Sequence, residues 1–369
     1  MDYQGVVKAM HYMLDKDESQ RITFLRAICF ILVIYLHQYV EIMNYGDSVI
    51  EMSRAPWLEA IEYIVSRIIT FSAVPLFFLM SSVLLYAKEF TWKSNMKKKL
   101  KTLIVPYLLW ISLYMVVYAV GQSLPFTATY FANAGRKISE FGILDFLGAY
   151  TGYFGDGIFV NALWFIRDLI IFNLLACVIK FLVDKFPFLV LSVIGILWML
   201  APLTEIVGIN AQGICFFTLG YYIVKYNIRM ERLRKIPVWQ VLVLYVIMIG
   251  MKYYCHLEDS ALFAPTHGMV TIFGILLLLQ ISGIVCNGAK DIPKVIILVA
   301  ANSFFIYASH DMIQTILKKL SAKIFTQSNL VQGIEFFLIP LITCAVCLAA
   351  ALCLKKILPK IYRVLTGAR

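Results

Sequence analysis

The residues best suited to chemistry lie inside long apolar stretches, where an ionisable side chain is costly and is therefore a functional candidate. An imidazole can take up a proton near neutral pH, and a guanidinium can hold a phosphate or a developing negative charge. The alternative for each residue is a structural pairing with a neighbouring helix. The candidates are Arg26, His37, Arg67, Arg167, Asp168, His310 and Asp311.

Arg26 and His37 are eleven residues apart in the first apolar stretch. Eleven steps of about 100° return to the same helix face, and the helical rise separates the two residues by roughly 16 Å. One face therefore offers a cation near the cytoplasmic end, suited to a phosphate-bearing ligand, and a base or nucleophile in the outer half. The other interpretation is an arginine that extends to the membrane surface and a packed polar histidine.

Four further candidates also fall in the outer half of their stretches, so they could meet His37 in one layer; they are Arg67, Arg167, Asp168 and His310. Arg167 and Asp168 are neighbours that point about 100° apart, and we expect each to find a partner on another helix. Tyr307 and His310 are three residues apart, which puts both on one helix face.

A basic run precedes Pro106 and consists of Lys97, Lys98, Lys99 and Lys101. It is either a cytoplasmic anchor or a landing site for anionic phosphates. Taken alone, the run is better explained as an anchor.

Composition identifies the elements that must position these residues. The 369 residues are 61% hydrophobic and only 15% charged, and the mean hydropathy is +0.81. A soluble core of this size cannot bury that much apolar surface. We predict one all-α, polytopic helical bundle over residues 1–369, with about ten spans. The predicted spans are 24–43, 64–87, 103–122, 162–183, 187–205, 212–226, 237–255, 266–287, 295–317 and 334–354.

Positive charge predicts the orientation, because Lys and Arg accumulate in cytoplasmic loops. With both termini inside, 24 of the 33 Lys and Arg residues fall on the cytoplasmic side. Residues 1–23 are then a short cytoplasmic segment, and residues 123–161 form one long extracytoplasmic loop whose aromatic residues favour an ordered cap. The lysines at 318, 319 and 323 fall outside and fit this orientation least well.

The same features exclude other classes. The net charge of +11 lies in short segments between apolar stretches, so it indicates membrane orientation and not nucleic-acid binding. The first span lacks the cleavage site of a signal peptide. None of the eight cysteines has the spacing of a metal site, so no metal is expected.

Five segments together resemble the acyltransferase 3 family of bacterial inner-membrane proteins, which O-acylate, usually O-acetylate, surface glycans. They are Arg26 to His37, VPLFFLMSSVLL at 74–85, the basic run leading into IVPY at 104–107, NALWFIRD at 161–168 and NSFFIYASH at 302–310. The resemblance covers most of the chain in family order. The chain departs from the family where the basic run is entirely lysine, where Thr102 replaces a basic residue, and where Ser82 replaces a glycine.

The resemblance implies an acyl-coenzyme A donor on the cytoplasmic side, most often acetyl-CoA, and a glycan or lipid-linked glycan acceptor near the outer side. It also implies a ten-helix fold in the bacterial cytoplasmic membrane and no tightly bound cofactor. The essential Arg and His of the family fall on Arg26 and His37. Its donor-binding basic stretch falls on Lys97 to Lys101.

On this interpretation His37 is a general base or a transient acyl carrier, and Arg26 binds the phosphates of the donor. Arg67, Arg167 or Tyr307 would stabilise charge or bind acceptor, with Asp168 and His310 in the same layer. Trp164 would stack on a sugar, or belongs to the interfacial aromatic belt. A transporter or flippase for a glycan precursor or small solute is the alternative function, and a sensor module is a third. The sequence leaves the acceptor, the acyl group and any homo-oligomer undetermined.

Overall fold

A computed structural model describes Tyr12 and residues 14–45, 48–88, 90–131, 136–201, 205–206, 208–286, 292–325 and 328–367. The fold is 79% helical and nearly all-α. Two short antiparallel hairpins accompany the helices, in which β1 (Ile42–Tyr45) pairs with β2 (Ser48–Glu51) and β3 (Glu205–Ile206) pairs with β4 (Ile209–Asn210). Residues 1–11 and Arg369, which the sequence analysis assigns to the cytoplasm, lie outside the described residues.

The helices follow one another with few long connections. They are α1 (Lys16–Leu36), α2 (Pro56–Ile64), α3 (Ala73–Tyr86), α4 (Trp92–Lys99), α5 (Val105–Ser123), α6 (Ile143–Thr151), α7 (Trp164–Leu174), α8 (Ala176–Lys185), α9 (Pro187–Leu200), α10 (Ala211–Lys225), α11 (Val238–Leu257), α12 (Phe263–Val285), α13 (Lys294–Ala301), α14 (Ser303–Ile324), α15 (Asn329–Ile357) and α16 (Pro359–Thr366). A single turn of π-helix at Val65–Ile69 follows α2, and another at Leu100–Ile104 connects α4 to α5.

Six helical segments in the described residues are long and apolar enough to cross a membrane: Lys16–Leu36, Pro56–Tyr86, Trp92–Ser123, Val238–Leu257, Phe263–Val285 and Asn329–Ile357. Two further pairs, α7 with α8 and α13 with α14, bend by 60° and 78° at short breaks, and each could form one broken span. The chain is thus a multi-pass membrane protein with six to eight candidate spans. The count of ten and the inward termini stay predictions.

Several predicted boundaries differ from the helices. The first predicted span runs to residue 43, whereas α1 ends at Leu36 and β1 follows. The hydrophobic pattern missed this end because the residues of the hairpin are also largely apolar. The predicted loop 123–161 contains α6, and the span predicted for 295–317 is broken at Asn302, where α13 ends and α14 begins.

The chain divides into two compact units. The single domain over residues 1–369 stays a prediction. The first unit comprises Met1–Arg26, Ser72–Met96 and Phe172–Ile297. In it α3 packs on α10, where a Cβ on Gly220 would come within 2.6 Å of the Leu79 carbonyl oxygen and 2.5 Å of the Ser82 Cβ. Such an approach requires glycine at position 220, because any side chain would push the helices apart. Ser82 therefore packs against a glycine of the partner helix.

The second unit comprises Ala27–Phe71, Lys97–Ile171 and Leu298–Arg369. Here α14 packs on α15, and α16 packs on α5. Trp110 Nε1 donates to the Leu365 carbonyl at 3.0 Å, and Tyr362 donates to Asn302 Oδ1 at 2.7 Å. These contacts fix the carboxyl-terminal helix and the beginning of α14 in the unit that carries His37 and His310.

Candidate functional site

The carboxyl-terminal end of α1 positions His37. The helix ends at Leu36, and the amide of Gln38 donates to the Tyr35 carbonyl at 3.0 Å, so the Ile34 carbonyl lacks the partner that a continuing helix would supply. Side chains of α14 supply partners instead. Gln314 Nε2 donates to the Ile34 carbonyl at 2.9 Å, and Lys318 Nζ donates to the His37 carbonyl at 2.8 Å. The backbone on both sides of the histidine is therefore held by one neighbouring helix.

His37 and His310 face each other. Their ring centroids are 5.3 Å apart with an interplanar angle of 52°. His310 is buried, with 1% of its surface exposed. Its Nδ1 lies 2.5 Å from the carbonyl oxygen of Tyr307, and because a carbonyl can only accept, Nδ1 carries the proton. Within the part of the chain that the structure describes, Nε2 of His310 has no hydrogen-bond partner.

The contacts to α1 come from one face of α14. His310, Gln314 and Lys318 are spaced four residues apart, which aligns them along the helix. Gln314 Nε2 also donates to Gln38 Oε1 at 2.8 Å, so the row contacts both sides of His37. Sequence reasoning missed Gln314, and it treated Lys318 only as a poorly placed loop charge. The four-residue spacing from His310 was the signal that could have identified both.

Tyr307 supports the histidine pair from the same helix. Its hydroxyl donates to the carbonyl of Ala162, and its ring packs edge-on against Phe30 and Phe165, each with centroids 5.8 Å away. The ring centroid of His310 is 5.6 Å from that of Tyr307. The hydroxyl is thus occupied by a backbone acceptor, and the tyrosine holds the beginning of α7 near the site.

The expectation that Arg167 and Asp168 do not pair is wrong. Arg167 Nη2 lies 2.8 Å from Asp168 Oδ1, and Nε donates to the same oxygen at 2.9 Å. Both residues are buried, and the guanidinium also lies 5.6 Å from the ring centroid of Tyr153. The Cβ directions of neighbours diverge, but the arginine side chain is long enough to bend back, and burial favours the nearest carboxylate.

Arg67 and Trp164 lie at breaks in regular helix. Arg67 sits in the π-helical turn after α2, with its guanidinium 5.7 Å from the ring centroid of Tyr39. Arg54 lies 5.4 Å from the same centroid. Trp164 begins α7 directly after the 3₁₀ turn Asn161–Leu163 and is half-buried. Their roles in charge stabilisation or acceptor binding stay predictions.

The residues assigned to the donor lie elsewhere. Arg26 is half-buried in the middle of α1 and belongs to the first unit. The basic run belongs to the second unit: Lys97 and Lys98 are exposed and Lys99 is half-buried at the end of α4, and Lys101 is exposed in the π-helical turn that follows. The exposed ammonium groups are accessible to a ligand, and the assignment to coenzyme A stays a prediction.

A metal centre is not indicated by the described residues, in which no group of three His, Cys, Asp or Glu side chains could hold an ion. The histidine pair can instead transfer a proton. In the Nδ1–H tautomer of His310, Nε2 carries a lone pair that can accept a proton. The imidazole next to it belongs to His37, whose backbone carbonyl accepts from Lys318.

One comparison with known proteins identifies a family for the chain. A family model described as an acyltransferase domain matches residues 19–355, a range that includes most of α1, the basic run, the histidine pair and most of α15. Neither a curated protein nor a solved structure gives a match. Because the match covers most of the chain, this multi-pass membrane protein belongs to the acyltransferase 3 family and is an acyltransferase.

Proposed function

We propose that the protein moves an acyl group, most often acetyl, from a cytoplasmic acyl-coenzyme A to a hydroxyl group of a cell-surface or lipid-linked glycan. The proposal includes a location in the bacterial cytoplasmic membrane. The observation that carries it is the paired imidazoles of His37 and His310, held at the end of α1 inside an acyltransferase domain. An ester-forming transfer needs a base at the acceptor hydroxyl, and this pair is the best candidate among the described residues.

In the proposed reaction His37 takes the proton of the acceptor hydroxyl as the oxygen attacks the thioester carbonyl. A tetrahedral oxyanion forms, the carbon–sulfur bond breaks, and coenzyme A leaves as the thiolate, which takes up a proton. His310 contacts the ring of His37 and keeps it oriented, and its Nε2 is an acceptor within the buried site. Arg67 is the candidate for stabilising the oxyanion, since its cation lies beside Tyr39, two residues beyond His37.

The donor would be bound by its phosphates. Arg26 offers a guanidinium that can contact a phosphate through two parallel hydrogen bonds, whereas the lysines at 97, 98, 99 and 101 act as point charges. This division of labour assigns phosphate binding to Arg26 and proton transfer to His37. The all-lysine run is consistent with the larger share of the binding falling on Arg26.

The test is acetyl transfer by purified protein in nanodiscs, with labelled acetyl-CoA and an envelope glycan extract, alongside calorimetry with coenzyme A. We expect the wild type to transfer label. His37→Ala should retain coenzyme A binding but lose transfer, because general-base assistance typically contributes about 10²–10⁴-fold. Arg26→Lys should weaken coenzyme A binding and preserve folding.

Equal loss of coenzyme A binding in both variants would contradict the division of labour. A folded wild type with no affinity for any acyl-coenzyme A would contradict the donor assignment and favour the transporter. Transfer to a protein or lipid fraction, and not to glycan, would keep the acyltransferase and overturn the acceptor class.

A further inference from the structure

A small cavity in the second unit has both polar and apolar walls and is lined by Gln38, the residue after His37. Its volume is about 30 Å³, which is enough for a small polar group such as a hydroxyl or hydroxymethyl. The polar side chains that line it come from the turn after α1, the chain after β2, α2, α14 and α15. They are Gln38, Arg54, Glu62, Lys318, Gln332 and Glu335.

The charges of the lining balance. Arg54 Nε lies 2.8 Å from Glu62 Oε2, and the two side chains are only 7% and 3% exposed. Lys318 and Glu335 supply the second cation and the second carboxylate. A phosphate or carboxylate ligand would add an uncompensated charge to this neutral set, and burying such a charge is costly. The cavity therefore suits a neutral polar group.

The lining offers donors and acceptors together. A hydroxyl group both donates and accepts, so it can bind a carboxylate oxygen and an ammonium, guanidinium or amide group at once. The side chains of Phe336 and Ile339 add an apolar wall next to these groups. Saccharides present this combination, because hydroxyl groups alternate with C–H surfaces around the ring.

The polar groups are held by the backbone around the cavity. Arg54 Nη2 donates to the Val40 carbonyl at 2.7 Å, and Gln332 Nε2 donates to the Ser53 carbonyl at 3.0 Å. Glu335 accepts from the Ser321 hydroxyl at 2.5 Å. Because these bonds come from four different segments, the lining is preorganised and loses little freedom on binding.

The cavity is also joined to the histidine pair. Gln38 is the residue after His37, and it accepts from Gln314 at 2.8 Å. Lys318 lines the cavity and donates to the carbonyl of His37. A group bound in the cavity would thus contact Gln38 and Lys318, which also contact the segment that carries the proposed base.

We propose that this cavity is an acceptor subsite that takes one hydroxyl or hydroxymethyl group of a neutral saccharide and thereby directs another hydroxyl towards His37. The part of this proposal that directs a hydroxyl towards His37 rests on the proposed function. Binding of a neutral sugar in the cavity can be measured independently of acyl transfer.

The experiment uses saturation-transfer difference NMR on wild-type protein in nanodiscs, with the methyl glycosides of glucose, galactose and N-acetylglucosamine and the methyl glycoside of glucuronic acid as probes. We expect a signal from at least one neutral glycoside and a weaker one from the charged glycoside. Glu335→Gln and Gln332→Leu should each remove most of the neutral signal. The acceptor KM in the transfer assay should rise about tenfold, which corresponds to about 1.4 kcal/mol, with the KM for acetyl-CoA unchanged.

Glu140→Gln is the matched control, because Glu140 is an exposed carboxylate of the same unit that pairs with exposed Lys137, 3.6 Å away. It should change neither measurement. No signal from any neutral glycoside, or an unchanged signal in folded Gln332→Leu, would overturn the subsite. Binding of a neutral sugar without acyl transfer would support the subsite and overturn the proposed function. Acyl transfer with an unchanged acceptor KM in both variants would support the proposed function and overturn the subsite.

Discussion

The two ends of α1 both lie against buried polar side chains, but the groups at the two ends differ in chemistry. At the amino-terminal end Arg21 is fully buried, and it donates from Nε to Ser282 Oγ at 3.2 Å and from Nη2 to the Leu279 carbonyl at 2.8 Å. At the carboxyl-terminal end His310 is equally buried, yet its Nε2 has no partner in the described residues. Buried polar groups are normally hydrogen-bonded, so an exception calls for a function.

The amino-terminal end has the features of a scaffold. Glu18 pairs with Arg229 at 2.8 Å and accepts from the Tyr12 hydroxyl at 3.2 Å. Burial, followed by the nearby Glu18 carboxylate, raises the pKa of Tyr12 above its ordinary value, so the phenol stays protonated and continues to donate. The comparison teaches that burial of a charged or polar residue does not by itself mark chemistry. What distinguishes the carboxyl-terminal end is the pair of imidazoles of His37 and His310, 5.3 Å apart.

The largest expected effect is on catalysis at the carboxyl-terminal end. His310→Gln should lower acyl transfer by about 10²-fold or more, because the residue orients the proposed base and general-base catalysis contributes about 10²–10⁴-fold. Labelled acetyl transfer per folded molecule measures it. Ser309→Ala is the control, since it removes a buried hydroxyl next to His310 in sequence that donates to the carbonyls of Phe305 and Ile306 in its own helix. Full activity of His310→Gln would contradict a catalytic role for the histidine pair.

The second prediction concerns the scaffold. Arg21→Ala should lower the free energy of unfolding by about 2–4 kcal/mol, as other large-to-small core substitutions do. Arg21→Met should cost less than about 1.5 kcal/mol, because Ser282 Oγ still donates to the Leu279 carbonyl at 2.7 Å and stays satisfied. Unfolding in mixed detergent micelles measures both. Transfer per folded Arg21→Met molecule should equal that of the wild type, and a specific loss of turnover would make Arg21 a functional residue.

A third, smaller effect sharpens the role of α14. Gln314→Leu removes the donor to the Ile34 carbonyl and to the Gln38 side chain, which loosens the contacts on both sides of His37. We expect turnover to fall about tenfold with an unchanged KM for acetyl-CoA, because small errors in geometry reduce the rate without affecting the donor. Thr343→Val removes a buried hydrogen bond to the Ile339 carbonyl within α15 and should leave turnover unchanged. Equal losses in the two variants would indicate a general effect on stability.

The smallest effect separates buried from exposed ion pairs. Glu18→Gln should lower the free energy of unfolding by about 1–2 kcal/mol, because Glu18 is only 2% exposed and its hydrogen bonds are charge-assisted. Lys137→Gln breaks a pair whose side chains are 66% and 68% exposed, and no measurable change is expected. The same mixed-micelle unfolding compares the two. A larger cost for Lys137→Gln would contradict the view that burial gives the amino-terminal contacts their strength.

Much of the candidate site could be predicted from local spacing. The three-residue spacing of Tyr307 and His310 predicts a shared face, and the contact between Nδ1 and the Tyr307 carbonyl follows from it. The long apolar stretches predict the multi-pass helical fold, because only helices satisfy the backbone of such segments in a membrane. The five segments of family resemblance predict the acyltransferase domain that the family model confirms.

The rest depended on contacts between segments far apart in the chain. Residue types and periodicity by themselves determined that His37 and His310 are polar groups in an apolar helical bundle, since both interrupt long apolar stretches. Only the tertiary structure decided that α1 ends before His37, that Gln314 and Lys318 hold that end, that Arg167 bends back to Asp168, and that Arg54 and Glu335 meet at one cavity. Periodicity describes one element, whereas the partner of a side chain is chosen by packing between elements.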